Sequence, residues 1–140
     1  MYVPRCPRKP TARRGVAAVE LALLLPLICF LFVITVDFAR VFYFDLTVAN
    51  CARNGGIYGG RDPNSALDSA GIKTAAKMDA GNLDLTKLTV SSTTDDPTTP
   101  TLVTVTVTYP FTTITHYPGV PSSMTLSRSL RMNVAPLKVN

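Results

Sequence analysis

Histidine is nearly absent from this chain: His116 is the only one among 140 residues. No Asp, Glu or Cys cluster stands around it at metal-ligand spacing, so no metal or other cofactor is expected. Nor does a nucleophile fall beside a base and an orienting group, so neither an enzyme nor a small-molecule substrate is expected. His116, next to Tyr117 in a threonine- and proline-rich stretch, reads as an ordinary loop residue. Cysteine is scarce too. Cys6, Cys29 and Cys51 form no C-x-x-C pair. Cys29 and Cys51 fall on one helical stretch, about 33 Å apart at about 1.5 Å per residue, far beyond disulfide reach.

An excess of positive charge is also missing where nucleic-acid binding would need it. The chain has 14 basic and 9 acidic residues, but Arg5, Arg8, Lys9, Arg13 and Arg14 all precede Val16. Beyond that point the remaining nine basic residues balance the nine acidic ones. The basic pI thus describes a leader, and no nucleic-acid partner is expected. The length allows one small domain once a membrane segment is set aside.

What is present is a long apolar run. From Val16 to Val36 the chain carries Glu20 as its only charge, and a helix of that length rises about 31 Å, the thickness of a bilayer core. Basic residues before it and balanced charge after it place the N-terminus in the cytoplasm and the rest outside. Pro26 has no N–H to donate to the Ala22 carbonyl and can bend the helix, which membrane helices tolerate when neighbours compensate. A signal peptide fits less well, because the run is long and no A-x-A-like site follows it. The sequence continues instead with Phe38, Val41, Phe42, Leu46, Ala49 and Ala52 at helical spacing. A stop is predicted at Asn54-Gly55-Gly56. Asp37 and Arg40 can pair at i,i+3, or Arg40 can snorkel to the headgroups. Phe42, Tyr43 and Phe44 suit an aromatic belt or a packing stripe against another subunit.

Glu20 needs a reason, since a carboxylate at the centre of a membrane helix costs roughly 2.5–3.5 kcal/mol, and less near the interface. Arg13-Arg14-Gly15, the run Val16-Ala17-Ala18, Glu20, the apolar block with Pro26, and then DFARVFY and ANCARNGG together resemble the TadE-like family. Its members are pilin-like components of the tight-adherence (Tad) pilus. The likeness covers about residues 13–60, with a weaker echo in VTVTVTYPF; Leu21 stands where many members carry an aromatic. The resemblance implies cleavage after Gly15 by a prepilin peptidase, leaving Val16 as the new N-terminus and Glu20 at mature position five. It further implies that Glu20 pairs with the N-terminal amine of a neighbouring subunit. Other pilin-like subunits and the inner-membrane pilus platform would then be partners.

Past Gly60, Asp62-Pro63 is a helix-start signature, and an alanine-rich helix is predicted from about Asn64 to Ala80, burying Leu67, Ala70, Ala75 and Met78. LDLTKLTVSS reads as a strand with a bulge near Thr86-Lys87. LVTVTVTY alternates, with Val103, Val105, Val107 and Tyr109 on one face and threonines on the other. Asp95-Asp96 sits in a polar, proline-containing link and reads as a solvated turn rather than a calcium site. Residues 110–123 form a connection whose Phe111, Ile114, Tyr117 and Val120 either pack on the membrane-proximal helix or make a lip at the bilayer. MTLSRSLRMNV is the last strand, with Arg128 the one polar residue in phase with its apolar face. The threonine-rich segments suit glycans, adhesive contacts or plain strand edges equally.

The expected fold is α+β: a long N-terminal transmembrane helix running on into a small pilin-like head with a second helix and about three antiparallel strands. The expected segments are a cleaved leader at 1–15, a membrane helix at 16–36, its extracytoplasmic continuation at 37–56 and the head at 57–140. The expected function is that of a single-pass inner-membrane minor pilin or pseudopilin. Gly15, Val16 and Glu20 would govern processing, and Glu20, Pro26, Asp37, Arg40 and Phe42 helix packing. The competing expectation is an uncleaved, signal-anchored envelope module whose head recognises a partner.

Overall fold

The computed structural model describes residues 13–114 and 121–137, with only the backbone of Arg13 and Arg14. The leader up to residue 12, together with His116, Tyr117 and Val120, lies outside the described residues. The chain divides into two compact units, one up to Val36 and one from Asp37 onward. The elements are helix α1 (Arg13–Gly59), short helices α2 (Pro63–Leu67) and α3 (Ser69–Lys77), and strands β1 (Thr89–Thr94), β2 (Leu102–Thr112) and β3 (Ser123–Asn133). This is the expected α+β architecture, a long apolar N-terminal helix followed by a three-stranded antiparallel sheet.

Helix α1 passes the predicted stop and ends at Gly59, where the Gly60 N–H closes on the Gly56 carbonyl at 2.8 Å. The glycines that looked like a terminator are a packing surface instead. A Cβ on Gly55 would stand 3.0 Å from Val105 Cγ1, and one on Gly59 would stand 3.2 Å from both Ile72 Cδ1 and Val103 Cγ2. Helical propensity lost at a glycine is about 1 kcal/mol, and burial of valine faces across so close a contact recovers it. The buried side of α1 is Val48, Cys51 and Ala52, flanked by half-buried Val41 and Phe44. Phe38, Phe42 and Leu46, expected on that face, are exposed instead, because the helix turns its smaller residues to the sheet.

The predicted second helix is two helices. Asp62 caps α2, its Oδ1 accepting the Ser65 N–H at 2.8 Å, and Pro63 fits the first turn, where no N–H is needed. At Asp68 the backbone leaves the helix (φ −79°, ψ 80°) so that its carboxylate can cap α3 by accepting the Gly71 N–H at 2.9 Å. That break shifts the helical phase. Ala66, Ile72 and Ala76 are buried, while Leu67 and Met78 are exposed and Ala70 and Ala75 are not in the core.

The sheet order is β1-β2-β3, antiparallel throughout. On β2 the alternation holds: Val103, Val105, Val107 and Tyr109 are all buried. β1 begins later than predicted because Asp84 turns the chain, accepting from the Thr86 N–H (3.0 Å) and Thr86 Oγ1 (2.6 Å). Leu83 and Leu88 are buried, whereas Leu85 is not. β2 runs through Pro110 to Thr112, into the predicted connection. The β1 ladder stops at Thr108, so among the described residues Pro110 has a strand on one side only, the place where a missing N–H is tolerated.

Ile72 is fully buried between α1 and β2, so Ile72→Ala should destabilise the head by about 2–5 kcal/mol. Met78→Ala, at a side chain 81% exposed, should stay within about 0.5 kcal/mol of the parent. Denaturant titration of the full chain in detergent measures both.

Candidate functional site

In the first unit, α1 presents its apolar side chains outward. Leu21, Leu23, Leu25, Leu27, Leu31 and Phe32 are all exposed. The helix has an apolar window of mean hydropathy 2.7 with none of it buried, long and apolar enough to cross a membrane. Thr35 Oγ1 donates to the Leu31 carbonyl at 2.8 Å, so its hydroxyl is satisfied within the helix and needs no water. Pro26 lies inside the helix, leaving the Ala22 carbonyl without its usual donor. Glu20 is exposed and, among the described residues, makes no hydrogen bond or ion pair. Gly15 and Val16 are exposed too, and a Cβ on Gly15 would meet nothing within 4 Å. No packing contact among the described residues requires glycine there.

In the second unit, Asp37 is 6% exposed. Its Oδ1 accepts from Arg40 Nη1 at 3.4 Å and from the Ile114 N–H at 3.3 Å. Arg40 is held as well by aromatic faces, its guanidinium 5.3 Å from the Phe111 ring centroid and 5.9 Å from that of Phe44. Phe44 in turn stacks on Tyr109 at 5.9 Å with an interplanar angle of 4°. The aromatic trio is therefore divided: Phe44 joins the head, while Phe42 (66% exposed) and Tyr43 (60%) face outward. Of the two placements open for residues 110–123, Phe111 and Ile114 meet α1 through Phe44 and Asp37.

Sequence reasoning missed the pairing of Asp45 with Arg128. The guanidinium donates through Nε at 2.9 Å and Nη2 at 2.5 Å to the two carboxylate oxygens, a bidentate tie between α1 and β3. Hydrogen bonding to Asp45, with its charge, raises the Arg128 pKa further. The available signal was Arg128 itself, polar and in phase with Leu126 and Leu130. A second missed link is Asn82 Nδ2 donating to Thr47 Oγ1 at 3.0 Å.

The Asp95-Asp96 turn is closed by its own carboxylates. Asp95 accepts from Thr101 Oγ1 and from the N–H groups of Thr101 (3.0 Å) and Leu102 (2.8 Å). Asp96 is held down to about 2 by the Thr98 hydroxyl, then by the N–H groups of Thr98 and Thr99. Those oxygens are engaged in holding the loop between β1 and β2.

One exposed, membrane-length apolar helix followed by an α+β head fits the single-pass, helix-anchored class of protein. Within that class, residues 15–56 match the model of the family described as TadE-like protein. The match begins at Gly15, takes in Glu20, Pro26, Asp37, Arg40 and Phe42, and ends inside α1, so that the sheet lies outside it. No curated protein and no solved structure matches the chain.

Removing the Asp37 carboxylate deprives the Ile114 N–H and Arg40 of a shared acceptor. Asp37→Ala should cost about 1.5–3 kcal/mol, the worth of hydrogen bonds to a charged group. It should also speed amide exchange at Ile114 while leaving Val105 protected. Hydrogen-exchange mass spectrometry at peptide resolution reads both sites.

Proposed function

We propose that this chain is a single-pass, pilin-like component of a Tad-type pilus system. In this reading the N-terminus is cytoplasmic, the head lies outside the inner membrane, and a prepilin peptidase cuts the peptide bond between Gly15 and Val16. The freed helix then packs laterally against other pilin-like subunits at the inner-membrane pilus platform, and so serves adherence and secretion. The head performs no reaction of its own.

The observation that carries this reading is Glu20, the one carboxylate in the exposed apolar run from Val16 to Val36, within a family match that starts at Gly15. Glycine is costly inside a helix, by about 0.5–1 kcal/mol relative to alanine. Gly15 is the third residue of α1, and among the described residues no contact requires glycine there, which supports a requirement imposed by a processing enzyme rather than by the fold. Cleavage supplies the positive charge that Glu20 lacks, since hydrolysis leaves an amine on Val16. Either ion alone is expensive between apolar helices, whereas the pair attracts strongly there and satisfies both. Such a contact forms only at one axial offset between neighbouring helices, so it would set their register.

Glu20→Gln keeps the size of the side chain and removes its charge. The variant should reach the membrane fraction at parental levels, because insertion of a neutral residue is easier, yet surface pili should fall to background in immunoblots of sheared fibres. Parental piliation from Glu20→Gln would overturn the assembly role of Glu20. Gly15→Leu should retain the leader and give the same loss.

A further inference from the structure

Strand β3 is an open edge. In the order β1-β2-β3 nothing among the described residues pairs with its outer side, and the register identifies the groups left over. Thr113 donates its N–H to the Ser122 carbonyl at 3.1 Å, and Val134 donates to that of Thr101 at 2.9 Å. Both bonds continue the β2–β3 ladder in phase, so the even-numbered residues of β3 bond to β2. The N–H and C=O groups of Thr125, Ser127, Ser129 and Arg131 therefore point away from the sheet.

Beside this edge lies a groove of about 330 Å³ between α1 and β3, with Ala49, Ala52, Leu130 and Met132 as its apolar lining and Arg53 among its walls. Arg53 and Arg131 are exposed, and neither makes an ion pair among the described residues. Asp45, which does reach β3, is already neutralised by Arg128. The edge thus combines free backbone groups, an apolar groove and uncompensated positive charge.

We propose that this edge docks an extended segment of another protein, alternating apolar and acidic side chains, as a fourth strand. Backbone pairing along Thr125 to Arg131 gives the affinity, and alternation gives the selectivity. Every second side chain of the added strand falls on the groove side, next to Leu130 and Met132. The others fall on the solvent side with Ser127, Ser129 and Arg131, where a carboxylate meets the guanidinium. Arg53 adds charge at the groove. A second copy of this chain is a poorer occupant. Its β1 edge, TVSSTT, carries no charge, and its one apolar residue, Val90, is buried in its own core. Its β3 edge would set two edges of the same positive charge against each other. The inference goes beyond the assembly reading and depends on neither Gly15 nor Glu20.

The test uses the full chain in lipid nanodiscs and a fluorescent nonapeptide of alternating valine and glutamate, with a valine–lysine peptide as control. The glutamate peptide should bind at least about tenfold more tightly, and added salt should weaken it. Arg131→Glu and Arg53→Glu should each lower its affinity about tenfold. Ser129→Pro removes one outward N–H without touching the β2 ladder, as an edge strand permits. With an unchanged melting temperature, it should lower binding by a similar factor, and if it does not fold the two arginine variants decide. Equal binding of both peptides, no binding of either, or a folded Ser129→Pro that binds like the parent overturns the proposal. So does mass-measured dimerisation through β3 that excludes the peptide.

Discussion

The close approach of α1 to the valine face of β2 governs the head. Gly55 and Gly59 let the helix backbone come so near that a single added methyl would press on Val105 or Val103. Val48, Cys51 and Ala52 continue that low surface along the helix. Buried Ile72 and Ala76 bring α3 against the same glycines. With α1 and β2 in contact, Asp45 falls opposite Arg128 and Asp37 opposite the Ile114 amide. Burial of the Cys51 thiol at this contact raises its pKa, and Asp79 adds to the effect, so the thiol stays protonated and packs as a small apolar group.

The same helix has to satisfy two surroundings. From Asp37 onward its faces differ, with one side buried in the head and Phe38, Phe42 and Leu46 on another. Up to Val36 there is no such division, and large apolar side chains are exposed all round. So large an apolar surface is not stable in water and calls for lipid or other apolar helices. On the proposed function both cover it in turn, lipid before assembly and neighbouring subunits after it. Glu20 is then the residue that distinguishes the two, since it is poorly served by lipid and well served by a neighbour's amine.

Much of this was legible because local patterns were clean. The β2 alternation needed no knowledge of its partners, and hydropathy alone delimits the apolar helix. Misreadings arose where one residue type serves two purposes. Gly55-Gly56 reads as a helix end but serves as a contact surface, and Asp68 sits within an apparent helix that it divides by capping the next turn. Asp84 bends the chain where a strand was expected, because its side chain offers the backbone a turn. Contacts such as Asp37 to Ile114, 77 residues apart, and Asp45 to Arg128, 83 apart, were out of reach. Only the out-of-place arginine on β3 hinted at the latter. The apolar spacing of α1 put Phe38, Phe42 and Leu46 on its buried face, and the sheet's need for small residues, invisible locally, turned Val48 and Cys51 inward instead.

The central claim is that the apolar helix becomes an assembly surface when a leader is removed after Gly15. Intact-mass measurement and N-terminal sequencing of the native membrane protein, from cells with and without their prepilin peptidase, test it most directly. The account predicts a chain beginning at Val16 only when the peptidase is present. An uncut leader in both strains would contradict it, and the function would then have to be sought in the head.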